Sequence, residues 1–578
     1  MSHSSERRIH PGVYQAQEQL KHGRISRREF LRVATLLGVA VPTATFLAAC
    51  GGAAAPEPAA PVAEEEAPES SEAEAPAAAS GPLRGGVLQV GMGVQAADHP
   101  ARFSWTESAN VFRHVFEYLA ETGPDNITRP LLLESWEASD DLTVWDLKLR
   151  QGIMWTNGDE LVADHIVYNF SEWLNPDVGS SILGLWEGFL TMDDIEVVDE
   201  YTVRLNLAAP KLDVPENLYH YPALIMHPSF DGDVTTGQNP STGPYLLDEY
   251  VVGERARVVA RTDGGYWQAG DDGEPLPYLE AIEFIDLGSD QTAYVAAMQT
   301  GEIDTFYEAT VDSWLALRDN PSVVVYSVDT SQARVLRVRV DQEPWNDNNV
   351  RLALKKCQDR EKILEIAYTG EGLIGHDMHV SPVQPDFAPI DVPEYDPEGA
   401  RQLLEEAGFA DGLDVSIAVG TGWTDVVAYA ETLQQDAIPA GINITLETMP
   451  NEAYWEIWTE TTVGFTPWTH RPLAVMLLPL AYIADEQGNP VPWNETRWVD
   501  EEFSTLLREA QGTLDIEARR AIMAELERIQ IERGSIGIAV WRRVWEVFNP
   551  AFQGVFAHPT LHNQWLRVWY DPSLDPFA

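Results

Sequence analysis

The chain is long, apolar enough to fold and strongly acidic. Its 578 residues, 44% of them hydrophobic, can bury a substantial core, which excludes a disordered or fibrous protein. The 91 Asp and Glu residues against 38 Lys and Arg give a formal charge of -53, which argues against nucleic acid and anionic lipid headgroups as partners.

The first fifty residues have the layout of an export signal. Arg27 and Arg28 precede an uncharged stretch, residues 33–49, as in a twin-arginine signal. The small residues before Cys50 resemble the lipobox of bacterial lipoproteins, whose cysteine is acylated after cleavage. The alternative is a permanent membrane helix, but the stretch is short and contains Pro42. We therefore predict a signal at residues 1–49 and a lipid anchor on Cys50. The protein would then be extracytoplasmic, in the periplasm or on the outer face of the cytoplasmic membrane.

The segment after Cys50 is predicted to be a disordered tether. Residues 50–82 are nearly all Ala, Pro, Glu, Ser and Gly, a composition that cannot pack a core. The only other cysteine, Cys357, lies in a helical pattern, so disulfide bonds cannot hold this fold together.

From Arg84 onward, strand and helix patterns alternate, which indicates a mixed α/β fold. A strand at 87–90 is followed by an apolar helical stripe from Phe112 to Leu119. Alternating polar and apolar residues predict hairpins at 195–207 and 245–260. A strand, helix and strand unit with a parallel crossover is predicted from strands at 413–419 and 442–446 and a helix at 425–437.

Several motifs follow one another in a recognisable order. The most specific is the run at 145–164, a strand, a turn and the start of a helix. The others are the segments at 84–86, 130–136, 241–245, 301–304, 350–354, 359–361, 395–397 and 403–409. In this order they resemble bacterial extracellular solute-binding proteins of family 5, the peptide and nickel class of importer receptors. The resemblance covers residues 84 to about 550.

The resemblance implies a periplasmic-binding-protein-like clamp of two lobes, of the large class with an extra subdomain. We expect mixed sheets with flanking helices. Lobe one would comprise residues 84–125, 237–330 and 542–578, with the extra subdomain at 126–236. Lobe two would comprise residues 331–541, and two crossover strands would form the hinge.

The resemblance also implies the partners. The protein would be a monomeric substrate-binding lipoprotein that captures a solute between its lobes and delivers it to the permease and ATPase subunits of an ABC importer. The solute would be peptide-like or another small polar molecule, including an oligosaccharide. No phosphate loop occurs in the sequence, and neither enzymatic activity nor a cofactor or metal is expected.

One motif bears on ligand chemistry. Peptide-binding relatives carry a Trp-x-x-Asp element whose carboxylate meets the ligand's ammonium group, and the best match here is Trp468-Thr469-His470-Arg471. A guanidinium cannot pair with an ammonium, so Arg471 favours a hydroxyl-rich, carboxylate-bearing or otherwise non-cationic ligand. The alternative is that Arg471 points to solvent or bonds a backbone carbonyl.

Aromatic and amide side chains supply the other candidate contacts. Trp423, Trp455, Trp468 and Trp493 are predicted to stack on sugar rings or cap apolar side chains of the ligand, with His470 beside them; the alternative for each tryptophan is a place in the core. Asn494 either reaches the ligand or caps a turn. Lobe one would contribute Trp105.

Other functions fit the sequence less well. The cluster His376-Asp377-Met378-His379 lacks the further ligands that a metal site requires. A secreted glycoside hydrolase would use paired acids such as Asp193 and Asp194, but adjacent carboxylates are expected by chance in so acidic a chain. A tethered ligand sensor or chaperone would share the same fold and signal, and it stays open as an alternative.

Overall fold

The structure is a computed structural model that describes residues 81–104, 106–484 and 488–577, with residue 452 described by its backbone only. These residues belong to one compact unit, Ala79–Ala578. The predicted signal with Arg27 and Arg28, the acylated Cys50, nearly all of the tether and Trp105 lie outside the described residues. Within the described ranges, no helix is both long and apolar enough to cross a membrane.

The strands are mostly short and are numbered here in chain order. They are β1 Val87–Gly91, β2 Ala120–Thr122, β3 Thr128–Pro130, β4 Leu133–Ala138, β5 Val144–Leu149, β6 Ile195–Asp199, β7 Thr202–Asn206, β8 Tyr245–Val251, β9 Arg255–Ala260, β10 Ala281–Ile285, β11 Thr305–Phe306, β12 Val324–Val338, β13 Gly372–Ile374, β14 Leu413–Gly420, β15 Ile442–Met449, β16 Val463–Trp468, β17 Ile536–Gly537, β18 Val540–Phe548, β19 Phe552–Gln553 and β20 Trp569–Tyr570.

The α-helices are numbered in the same way. They are α1 Thr106–Phe112, α2 Ala163–Trp173, α3 Leu183–Trp186, α4 Val214–Asn217, α5 Gln291–Thr300, α6 Val311–Leu317, α7 Asn348–Lys356, α8 Arg360–Tyr368, α9 Pro397–Glu406, α10 Thr424–Asp436, α11 Asn451–Ile457, α12 Leu478–Ala481, α13 Glu501–Gln511 and α14 Ile516–Arg533. Short 3-10 helices occur at Pro100–Arg102, Pro176–Val178, Met192–Asp194, Val234–Thr236, Ile438–Ala440, Ala474–Met476 and Pro572–Leu574.

Part of the acidity of the chain is used to start helices. An Asp at the N-cap accepts a hydrogen bond from a backbone N–H of the first turn, which satisfies a donor that the helix itself cannot pair. Six of the described α-helices begin in this way, at Asp290, Asp347, Asp359, Asp396, Asp500 and Asp515. The carboxylate also suits the positive end of the helix dipole.

One large mixed sheet organises the fold. Its strand order is β15-β14-β16-β12-β18-β11-β1-β10-β9-β8, with β13 also paired to β18 and β17 to β12. The predicted crossover unit is confirmed, because β14 and β15 pair in parallel over their full length and α10 connects them. The two predicted hairpins are confirmed as the antiparallel pairs β6–β7 and β8–β9. The first hairpin belongs to a separate four-stranded sheet, β4-β5-β7-β6.

The long strands β12 and β18 run through the middle of the large sheet. Residues Val324 to Asp329 of β12 pair with Phe548 to Arg543 of β18, and pairing then resumes only at Ala333 and Trp541. Three residues of β12, at 330–332, therefore face the single residue Arg542 in an irregular bulge. Beyond the bulge β12 pairs with β16, so the same strand joins the two ends of the sheet.

The predicted helical stripe from Phe112 to Leu119 is wrong in its position. The helix is α1, which ends at Phe112, and the chain then turns. The carbonyl oxygens of His114 and Val115 accept hydrogen bonds from the N–H groups of Tyr245 and Gly243, so they cannot continue a helical ladder. A Cβ on Gly243 would lie 2.3 Å from the oxygen of Val115. The backbones of Gly243 and Val115 therefore approach too closely for any residue other than glycine at position 243.

Candidate functional site

A cavity of about 860 Å³ lies beside the strands β12 and β18. One part of its wall is formed by segments that precede β12 and by the segment that follows β18. The other part is formed by β12, β18 and the segments between them. The lining residues used below are Glu107, Asn126, Glu216, His220, Tyr307, Glu308, Gln332, Arg334, Trp423, Trp455, Trp458, Trp468, His470, Arg471, Trp493, Arg542, His558 and His562.

Tryptophans form a large part of this wall. The rings of Trp423 and Trp455 meet edge to face with centroids 5.5 Å apart, and Trp455 meets Trp458 in the same way at 5.6 Å. Trp468 and Trp493 pack at 6.2 Å. Edge-to-face contacts fix ring orientation, so these residues present set surfaces to the cavity. Trp455 keeps 39% of its surface exposed, which leaves much of its ring available for contact.

Trp468 is held by a buried acid. It is the last residue of β16 and stands opposite Ala333 of β12. Its Nε1 donates to Oε1 of Glu495 at 3.0 Å, and the hydroxyl of Thr466 donates to the other oxygen of Glu495. Burial raises the pKa of Glu495. This role of Glu495 was not predictable from local sequence, because it depends on partners 27 and 29 positions away in the chain.

His470 joins three separate segments of the chain. Its Nδ1 accepts the backbone N–H of Ser331 at 3.0 Å, so the hydrogen of the neutral ring is on Nε2, which lies 2.8 Å from Oδ1 of Asn126. The amide of Asn126 in turn donates to the carbonyl of Val383 at 3.2 Å. Burial, together with the positive charge of nearby Arg471, holds the pKa of His470 well below its ordinary value.

Arg471 reaches the cavity without a carboxylate partner in the described ranges. Its Nη1 donates to the hydroxyl of Thr469 and to the carbonyl of His470, both at 3.0 Å. Burial lowers the pKa of the guanidinium. The Arg471 side chain thus bonds a backbone carbonyl, as one alternative predicted, and it also lines the cavity; its contact with a ligand stays a prediction.

The structure brings six of the predicted contact residues together. The cavity is lined by Trp423, Trp455, Trp468, His470, Arg471 and Trp493.

Asn494 lies elsewhere. Its side chain is completely buried, its amide donates to the carbonyls of Ile483 and Trp498, and its oxygen accepts from Thr496. Asn494 therefore has the turn-capping role that was the alternative to ligand contact, and we do not propose it as a contact residue.

Charged and titratable groups of both signs face the cavity. Burial and the nearby carboxylates of Glu308 and Asp286 raise the pKa of Glu107 to about 7, and burial raises that of Glu216 to about 7. Burial lowers the pKa of His220 to about 3 and that of His558 to about 4. These histidines are neutral at pH 7, and the two glutamates are only partly ionised there.

Arg334 on β12 and Arg542 on β18 also line the cavity, although the sequence did not predict them as contact residues. A signal for them exists. Arg334 precedes Val335 and Leu336, and Arg542 follows Val540 and Trp541. A charged side chain beside such apolar residues in a strand needs a partner or a function.

The residues His376 to His379 are engaged in structural contacts. Asp377 pairs with Arg360 at 2.5 Å, and Nδ1 of His379 lies 2.8 Å from the hydroxyl of Tyr482. Across the part of the chain that the structure describes, no group of three or more His, Cys, Asp or Glu side chains is arranged to hold a metal ion.

Comparison with known proteins gives a consistent result. Residues 128–473 match the bacterial extracellular solute-binding proteins, family 5 (middle region). The dipeptide-binding protein DppE of Bacillus subtilis is 24% identical over 479 residues, which is 77% of this chain and 84% of DppE. The glutathione-binding protein GsiB of Salmonella paratyphi A is 26% identical over 369 residues, 63% of this chain and 69% of GsiB.

Solved structures show the same fold. HbpA2 from Haemophilus parasuis superposes with a TM-score of 0.72 at 21% identity, over 84% of this chain and 100% of HbpA2. The periplasmic binding protein DppA from Helicobacter pylori, in complex with the peptide STSA, gives a TM-score of 0.69 at 20% identity, over 84% of this chain and 98% of DppA. The predicted periplasmic-binding-protein-like fold is thereby confirmed.

Proposed function

Because the chain belongs to family 5 of the bacterial extracellular solute-binding proteins, whose members are transport receptors and not enzymes, we propose that it captures a small polar solute in the cavity beside β12 and β18 and delivers it to the permease of an ABC importer. The observation that carries the proposal is the cavity itself. A volume of about 860 Å³ is in the range of pockets that enclose small ligands.

The lining supports a peptide-like or other small polar solute, including an oligosaccharide. Five tryptophans offer flat faces for sugar rings or apolar side chains, and acidic and basic groups on the same wall suit a ligand with polar ends. DppE and GsiB are described as dipeptide-binding and glutathione-binding proteins, which makes peptide-like solutes the first class to test. The Arg471 guanidinium suits a carboxylate or hydroxyl group and disfavours an ammonium at that point of the cavity.

We also propose the lobe boundaries and the membrane attachment predicted from the sequence. Residues 84–125, 237–330 and 542–578 would form lobe one, 126–236 its extra subdomain and 331–541 lobe two. Strand β12 pairs with β18, the neighbour of β11, on one side and with β16 on the other. This position between the two parts of the sheet supports a hinge in β12. The twin-arginine pattern and Cys50 support export and lipid anchoring on the outer side of a membrane.

Two measurements test solute capture. Mass spectrometry of small molecules released from the purified protein should identify a bound solute, and adding that solute should raise the thermal unfolding midpoint. The same solute should be recovered chemically unchanged after incubation. A compound converted to product would contradict a transport receptor, and a protein that neither retains nor is stabilised by any peptide, sugar or carboxylic acid would contradict solute capture.

A further inference from the structure

Two arginines of the hinge strands share one buried carboxylate at the cavity. Nε of Arg334, on β12, donates to Oδ2 of Asp425 at 2.7 Å. Nε of Arg542, on β18, lies 3.2 Å from the same oxygen. The arginines are only 9% and 7% exposed, yet both line the cavity. The buried site therefore holds two guanidinium groups and one direct counter-charge.

Most of the N–H donors of this pair have no acceptor. A guanidinium carries five N–H groups. Arg334 uses Nε for Asp425, and Arg542 uses Nη1 for Oε1 of Gln332 at 2.8 Å. Among residues 81–104, 106–484 and 488–577, no hydrogen bond is made by either terminal nitrogen of Arg334 or by Nη2 of Arg542. Both arginines line the cavity, so a ligand group can reach these nitrogens.

The local charge also points to an anion. Burial alone would raise the pKa of Asp425, but Arg334 and Arg542 together hold it below its usual value, so this carboxylate is ionised and balances one of the two arginines. The next carboxylate is that of Glu308, whose Oε1 lies 3.7 Å from Nη1 of Arg542. Its side chain is 33% exposed, so solvent screens this longer contact. Arg334 has no second carboxylate within ion-pair distance in the described ranges.

The bulge in β12 explains how the two side chains converge. Residues 330–332 of β12 oppose Arg542 alone, and Gln332 accepts a hydrogen bond from it. Regular pairing resumes at Ala333, directly before Arg334. A bulge changes the direction in which the following side chains project, and bulges often occur next to binding sites for this reason.

We propose that Arg334 and Arg542 form an oxyanion subsite that binds a carboxylate group of the solute. The planar fork of a guanidinium matches a carboxylate with two parallel hydrogen bonds, and a bound carboxylate would satisfy the terminal nitrogens that the protein leaves without acceptors. The inference rests on the proposed solute capture and narrows its class to ligands that carry at least one carboxylate.

Acetate is a suitable probe because it isolates the carboxylate from the rest of any ligand. The full chain is titrated with sodium acetate at constant ionic strength, with chloride as the reference salt, and its thermal unfolding midpoint is recorded. At an acetate concentration several times a millimolar dissociation constant, we expect the wild type to gain about 2 °C. Arg542→Met should remove this gain, whereas Arg567→Met, whose side chain is 55% exposed, should retain it.

Loss of Arg334 alone would leave the buried Asp425 without its closest partner and is expected to destabilise the fold. The double variant Arg334→Met with Asp425→Asn removes the pair together and should stay folded in chloride while losing the acetate response. A wild type that gains nothing from acetate, or variants that gain as much as the wild type, would overturn the subsite. Either result leaves solute capture standing, because mass spectrometry of the released solute tests that separately.

Discussion

Nε2 of His470 lies 2.8 Å from the side-chain oxygen of Asn126, a hydrogen bond between residues separated by 344 positions in the chain. Asn126 falls in the proposed subdomain of lobe one, and His470 in proposed lobe two. If these segments separate when the clamp opens, the bond contributes only to the closed state. It would then stabilise the ligand-bound form selectively.

Asn126→Gly tests this bond. Glycine tolerates the positive φ of 60° at this position, so the change removes the amide and spares the backbone. We expect the dissociation constant of the captured solute, measured by calorimetry, to rise about 3- to 10-fold, the value of one buried hydrogen bond. Asn443→Ala, at an exposed position of β15, should leave the affinity unchanged. Equal affinities for Asn126→Gly and wild type would exclude this bond from closure.

Arg471→Met should weaken a ligand that carries a carboxylate at this end of the cavity. A hydrogen bond to a charged group contributes about 1.5–3 kcal/mol, so the expected loss of affinity is about 10- to 100-fold. The matched control is Arg401→Met, whose side chain is 44% exposed on helix α9. Calorimetry with the released solute measures both variants, and a loss of less than twofold for Arg471→Met would remove this residue from the site.

Trp455→Ala should affect binding more than stability. The ring is 39% exposed, so its removal leaves little buried cavity in the protein, while the ligand loses a flat contact surface. We expect a loss of affinity of about tenfold, as for an aromatic residue that contributes more than 1 kcal/mol at an interface. Tyr395, which is 37% exposed and does not line the cavity, provides the control as Tyr395→Ala. Titration of the tryptophan fluorescence with the solute measures the affinities. An unchanged affinity for Trp455→Ala would contradict a contact between this ring and the ligand.

His558 and Glu546 should give opposite dependences of stability on pH. Burial lowers the pKa of His558 to about 4, so the stability linked to its neutral form is complete above about pH 6.5 and is lost as the pH falls toward 4. Burial raises the pKa of Glu546 to about 8, so the stability linked to its protonated form is complete below about pH 4.3 and is lost as the pH rises through 8.

The corresponding variants are His558→Gln and Glu546→Gln, because glutamine does not titrate. Thermal unfolding midpoints are measured from pH 5 to 8. As the pH rises, the midpoint of the wild type should increase relative to that of His558→Gln and decrease relative to that of Glu546→Gln. Parallel curves for all three proteins would contradict both assignments.

Gly243→Ala should destabilise the fold strongly. The new methyl group would lie 2.3 Å from the oxygen of Val115, a backbone atom that cannot move aside without breaking its hydrogen bond. We expect a loss of at least about 3 kcal/mol and a drop of several degrees in the unfolding midpoint. Gly184→Ala is the matched control, because nothing lies within 4 Å of its Cβ position and it sits in helix α3. There alanine should be neutral or slightly stabilising.

The elements that local pattern determines were predictable. The β14, α10 and β15 unit and the two hairpins follow from apolar periodicity and short turns, which are properties of neighbouring residues. The helix placed at Phe112 to Leu119 was not, because bonds from Gly243 and Tyr245, far along the chain, compete for the carbonyls that would continue it.

The candidate site likewise contains residues that local sequence predicted and residues that it did not. Trp468, His470 and Arg471 were found because they occupy one contiguous motif. Arg334 meets Asp425 across 91 positions and Arg542 meets Gln332 across 210, and no local pattern reports such pairings. Apolar residues stand next to both arginines in the sequence, but the direction of the two side chains depends on a bulge that only the register of the two strands reveals.

The three residues of that bulge, 330–332, have no regular backbone pairing with β18 and make hydrogen bonds that involve side chains instead. The hydroxyl of Thr330 donates a hydrogen bond to the carbonyl of Arg542, and the backbone N–H of Ser331 donates one to Nδ1 of His470. If the proposed hinge lies here, it can bend by exchanging a few side-chain partners while the strand pairing on either side stays intact. Because Gln332 and His470 also line the cavity, bending at the bulge would then change the shape of the proposed binding site, and binding of a solute would restrict the bending.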